Sequence, residues 1–71
     1  MSIKETVLYA VLHDAATMEW FTTGPESAKG PVANGLFFSD MLDEHDAGMA
    51  RTRWTITETG RELLRIIEEA T

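Results

Sequence analysis

Two His-Asp pairs, His13-Asp14 and His45-Asp46, and one acidic run, Asp43-Glu44-His45-Asp46, hold the residue types that acid–base or metal chemistry needs. Their spacing argues against both. The run is read as part of a helix, where consecutive side chains splay about 100° apart and do not converge on one ion. An HExxH pair, a calcium loop and a Gly-rich phosphate loop ending in Gly-Lys-Ser/Thr are all absent. There is no Cys, which removes thiol nucleophiles, thiolate metal sites and disulfides. Each His closes a different predicted helix, a place the helix dipole favours for a cation. We assign no catalytic, cofactor or metal residue and read the chain as non-enzymatic.

Positioning is left to a small scaffold. The 71 residues suffice for one domain, 1–71, and exclude barrels and doubly wound sheets. Apolar residues make up 44%, too many for a disordered chain. A core this small buries little more than the ordering entropy demands. With no disulfide or thiolate metal, self-association is the remaining stabiliser, and a homodimer is expected. No apolar run approaches the roughly 18 residues of a membrane span, and no leader pattern is visible, so the expected location is cytoplasmic.

Local patterns predict the elements. Ser2 and Glu5 form an S-x-x-E capping box. Ile3, Val7, Leu8, Val11, Leu12 and Ala15 then make one apolar stripe, on a helix ending near Asp14 to Ala16. Glu19 to Thr23 is aromatic and β-branched, which suits a short edge strand stopped by Gly24-Pro25. Glu26 to Gly30 reads as a loop or a single turn. Pro31 suits a first helical turn, and Asn34-Gly35 is a point where that helix can break; whether residues 24–35 form a separate helix stays open. Phe38, Met41, Leu42 and His45 recur at i, i+3, i+4 and i+7, predicting a helix from Leu36 to Asp46 capped by a left-handed Gly48. From Met49 to Ile56, Thr52, Trp54 and Ile56 alternate with Arg51, Arg53 and Thr55. That is one half-buried strand, or two short strands around a tight turn. Thr57 caps a last helix striped by Leu63, Leu64, Ile67 and Ala70, with Gly60 one turn earlier and Glu62–Arg65 and Arg65–Glu69 as ion pairs. The fold class is α+β: three helices with a short two- or three-stranded β element.

Two blocks in Gly35 to Ala70 carry a family likeness: Leu42-Asp43-Glu44-His45-Asp46-Ala47-Gly48-Met49, and Trp54-Thr55-Ile56-Thr57-Glu58-Thr59-Gly60-Arg61-Glu62-Leu63-Leu64. This C-terminal half resembles winged-helix regulators of the PadR and MarR kind. The resemblance implies a small winged-helix-like domain, a recognition helix at Leu36 to Asp46 and DNA binding by that helix. Only Ala50 to Arg53 separate Met49 from Trp54, so the wing is expected to be very short.

Charge bears on that implication. The formal net charge is −6, and residues 31–50 hold Asp40, Asp43, Glu44 and Asp46 with no Lys or Arg. The expected recognition helix is thus the most acidic element, whereas DNA affinity comes largely from cations that displace counterions. Two functions follow. One is a DNA-binding regulator whose Arg51 and Arg53 touch phosphates. The other is an acidic adaptor or inhibitor, of the kind phages and mobile elements carry, that binds a basic protein through Asp40, Asp43 and exposed aromatics at Trp20 and Phe37.

Overall fold

The computed structural model describes residues 2–70. The Ser2–Glu5 capping box forms, but around a single 3-10 turn, Ile3–Glu5. Thr6 then turns extended (φ −90°, ψ 156°) and caps helix α1, Val7–Thr17, by accepting from the Tyr9 N–H at 3.3 Å. The two caps in tandem break the expected stripe. Val11, Leu12 and Ala15 are buried, while Ile3, which lies before the bend at Thr6, and Val7, in the first turn of α1, stay exposed.

Strand β1, Phe21–Thr23, follows as an edge strand. Helix α2 runs Lys29–Phe38, with Pro31 in its first turn and no break at Asn34-Gly35. The Lys29 ammonium reaches Asp14 at 2.7 Å and ties the start of α2 to α1.

The expected helix from Leu36 to Asp46 does not form. Its first residues end α2, and the rest become strand β2, Leu42–Gly48. The stop is a Schellman closure well before Gly48. Asp40 takes φ +62°, its N–H donates to the Phe37 carbonyl at 3.0 Å, and the Met41 N–H donates to the Leu36 carbonyl at 2.8 Å. Asp tolerates this conformation better than most non-Gly residues.

Gly48 is left-handed as expected (φ +80°), but it ends a strand. Met49 (φ +52°) and Ala50 (φ +61°) form the two-residue turn into strand β3, Arg51–Ile56. Two positive φ values make this a type I′ hairpin, a turn that favours Asn-Gly and strains Met-Ala. Ala50→Gly is therefore expected to stabilise the chain by about 1 kcal/mol, roughly 4–8 °C in Tm, net of the added unfolded-state entropy. Thermal unfolding followed by circular dichroism checks this, and an unchanged or lower Tm contradicts it. The hairpin arms are 7 and 6 residues long, so it projects much further than the expected wing.

The sheet is antiparallel in the order β1-β3-β2. Phe21 lies opposite Trp54, and Leu42 opposite Ile56. Helix α3, Glu58–Glu69, starts at the expected Thr57 cap, whose hydroxyl accepts from the Gly60 N–H at 3.0 Å. The same hydroxyl donates to the Asp40 carbonyl at 2.6 Å, and the Thr57 N–H donates to the Met41 carbonyl at 3.1 Å. These bonds seat α3 on the α2–β2 turn. α1 touches α2, α3 and β3, and every helix and strand contributes to one core: Val11, Leu12 and Ala15 from α1, then Phe21, Ala33, Leu36, Leu42, Trp54, Leu64 and Ile67.

Candidate functional site

Strand alternation sorts the hairpin into two faces. Trp54 and Phe21 point into the core, so their neighbours Arg53 and Thr22 point out. The outer face carries Thr22 on β1, Arg51, Arg53 and Thr55 on β3, and Asp43 and His45 on β2. On the core side, Glu44 lies opposite Trp54 and Asp46 opposite Thr52, yet both are exposed because the hairpin outgrows the core beneath it. A bulge between Asp46 and Gly48 marks the end of regular pairing, and an Asp46 carboxylate oxygen accepts from the Gly48 N–H at 2.8 Å.

The two arginines singled out from the sequence both lie on the outer face. Arg51 donates to the Thr22 hydroxyl at 2.7 Å, and the Arg53 guanidinium lies 5.9 Å from the Trp20 ring centre. Trp20 is 47% exposed, and the fold joins it to Arg53. Phe37 is different. It is half-buried, with its ring 6.5 Å from Trp54, and the exposed member of the pair is Phe38, at 76%. Adjacent helical residues cannot share one small core, and α2 turns Phe37 inward.

The carboxylates Asp40, Asp43, Glu44 and Asp46 are all exposed, on β2 and the turn that leads into it. Among the described residues none of them forms a salt bridge. They lie along one edge of the sheet and not on a helix, so the expected picture of an acidic helix is corrected to that of an acidic strand. His45 is corrected with it. It lies on no apolar helical face, but pairs its Nε2 with the Thr55 hydroxyl at 3.1 Å on the outer face. Among the described residues no group of three or more His, Asp or Glu side chains is placed to share a metal ion. His13 stays on α1, with its ring 5.6 Å from Tyr9, far in sequence from the hairpin.

The last helix, an expected support for a dimer, carries a second surface, of which Ile66 was not singled out from the sequence. Met41, Thr59, Leu63 and Ile66 line a shallow apolar groove along α3, flanked by Glu58, Glu62, Arg61 and Arg65. Ile66 is 51% exposed. The expected ion pairs both form: Arg65 bonds Glu62 and reaches Glu69 at 2.6 Å. The bond from Arg65 holds the Glu62 carboxyl below its ordinary range. That pairing therefore supports α3 at neutral pH and is lost as pH falls through the lowered value. The signal for Ile66 was a stripe at 59, 63, 66 and 70 beside the core stripe of Leu64 and Ile67.

No helix among the described residues is long and apolar enough to cross a membrane. Comparison of the chain with protein-family models, curated proteins and solved structures finds no match.

Proposed function

We propose that this chain is a non-enzymatic binding module of winged-helix type that engages a basic protein partner through the acidic edge of its hairpin. The wing of such a domain corresponds to β2–β3. The observation that carries the reading is the set of exposed carboxylates at Asp40, Asp43, Glu44 and Asp46, with no cationic partner among the described residues. Both arginines of the same hairpin are engaged on its outer face, by Thr22 and Trp20. A duplex approaching the hairpin edge would meet carboxylates before cations.

A second reading, duplex DNA binding, is favoured by one observation. The helix before the hairpin is α2, which carries Lys29 and no carboxylate, so the acidity expected of a recognition helix belongs to β2 instead. An electrophoretic shift with mixed duplexes near about 50 mM salt separates the two. We expect no shift. Binding with a steep salt slope, weakened by Arg51→Ala and Arg53→Ala, would overturn the protein-partner reading in favour of DNA.

We also propose self-association through the α3 groove. Its apolar strip is flanked by both signs of charge, so a two-fold copy can set Arg61 and Arg65 against Glu58 and Glu62. Sedimentation at tens of micromolar is expected to show a dimer that Ile66→Asp converts to monomer. A wild-type monomer at that concentration would contradict it.

A further inference from the structure

We infer that the free edge of β2 is a strand-addition site for an extended, basic segment of a partner protein. The inference rests on the protein-partner reading and specifies how that partner docks.

β2 is the outermost strand in the order β1-β3-β2, and it is 7 residues long. Every residue from Asp43 to Gly48 is exposed, so its outer side presents unpaired main-chain groups to solvent. Pairing with β3 from Leu42 to Gly48 holds this edge already extended. An added strand therefore has a preformed template, about 20 Å long at strand rise.

Charge chooses the occupant. A second copy is disfavoured, because antiparallel β2–β2 pairing in its centred register sets Glu44 opposite Asp46 twice over, and directly opposed like charges destabilise a sheet. A strand with Lys or Arg opposite these positions turns the same contacts favourable. The alternation sets the pattern: two cations on the face of Glu44 and Asp46, and one on the opposite face against Asp43. The ends of the strand offer apolar contacts. Phe38, 76% exposed, precedes β2 by the Schellman turn, and Met49, 96% exposed, follows it at the hairpin tip. Apolar residues at the two ends of the incoming segment would find a partner in each.

The test uses the full chain and labelled peptides of about nine residues, followed by fluorescence anisotropy. The probes are a Lys/Val peptide whose central Lys-Val-Lys-Lys falls against Asp46, His45, Glu44 and Asp43 with Val on either side, its Glu/Val counterpart, and the Lys/Val peptide with alternate main-chain amides N-methylated on the edge that would face β2. Polylysine serves as a generic polycation. The Lys/Val peptide is expected to bind, the Glu/Val peptide not to, and N-methylation to weaken binding about tenfold or more, because it removes main-chain donors and leaves the charge. The triple variant Asp43→Asn, Glu44→Gln, Asp46→Asn is expected to weaken binding about tenfold as well. These substitutions are isosteric, and the amide oxygen that Asp46→Asn leaves in place still accepts from the Gly48 N–H. Amide exchange of Asp43 to Gly48 should slow in the complex. If the N-methylated peptide binds as tightly as its parent, strand addition is overturned and the protein-partner reading stands on charge alone. If neither the Lys/Val peptide nor polylysine binds, both fall.

Discussion

Gly60→Ala is expected to destabilise this chain by more than about 3 kcal/mol, a large part of the total stability of a domain this size. A Cβ at position 60 would lie 2.2 Å from the Met41 carbonyl oxygen and 2.8 Å from Ile56 Cγ1. Neither neighbour can yield cheaply. The Met41 carbonyl accepts from the Thr57 N–H, and the Met41 N–H closes the turn after α2 on Leu36. Relief requires α3 to lift away, which breaks the Thr57 bonds to the Asp40 and Met41 carbonyls together. Thermal and urea unfolding should show a Tm lower by about 10 °C or more, or a chain already unfolded at room temperature. A Tm within about 3 °C of the wild type would mean that α3 does not sit on this turn. Gly60→Ser should behave like alanine, since any Cβ meets the same carbonyl.

Trp54→Ala is expected to cost about 3–5 kcal/mol. Trp54 is 3% exposed, on the central strand opposite Phe21, with the Phe37 ring centre 6.5 Å away. Its indole N–H donates to the Thr23 hydroxyl at 2.9 Å, and Thr23 is itself 5% exposed. The alanine variant therefore opens a cavity and orphans a buried hydroxyl. Thr23→Val separates these effects. It keeps the shape, leaves the indole N–H without an acceptor and should cost about 1–3 kcal/mol. In a double-mutant cycle Thr23→Val should cost much less in the Trp54→Phe background, and full additivity would show that the bond contributes nothing. Loss of Trp54 should also loosen the hairpin, since this residue anchors β3 between both edge strands.

The candidate site was legible in part. Arg51 and Arg53 share a face by simple alternation, and Trp20 is exposed beside the sheet, where Arg53 reaches it. Asp40, Asp43, Glu44 and Asp46 stood out for their charge, but their setting was misread, since they line the edge of a sheet and not a helix face. Phe37 and Phe38 exchanged roles. Nothing within the dipeptide says which ring turns inward, since that depends on where Trp54 lies across the core.

The elements that sequence alone determined are those whose signals are local. Thr57 with Gly60, the stripe of Leu63, Leu64 and Ile67, and the alternation of Arg51 to Ile56 each lie within one cap, one helix face or one strand, and all three formed, except that Ala70, the stripe's expected last member, is an exposed C-cap. Tertiary structure decided the stretch from Leu36 to Asp46. Its i, i+3, i+4, i+7 spacing satisfies a helix as readily as any in the chain. A left-handed Asp40 closed α2 early, and β3 supplied a pairing partner that no helical window contains. Strand pairing is a contact between separate segments of the chain, so its energy is absent from either segment read alone. That one non-local choice moved the acidity of this protein from a helix face to the free edge of a sheet.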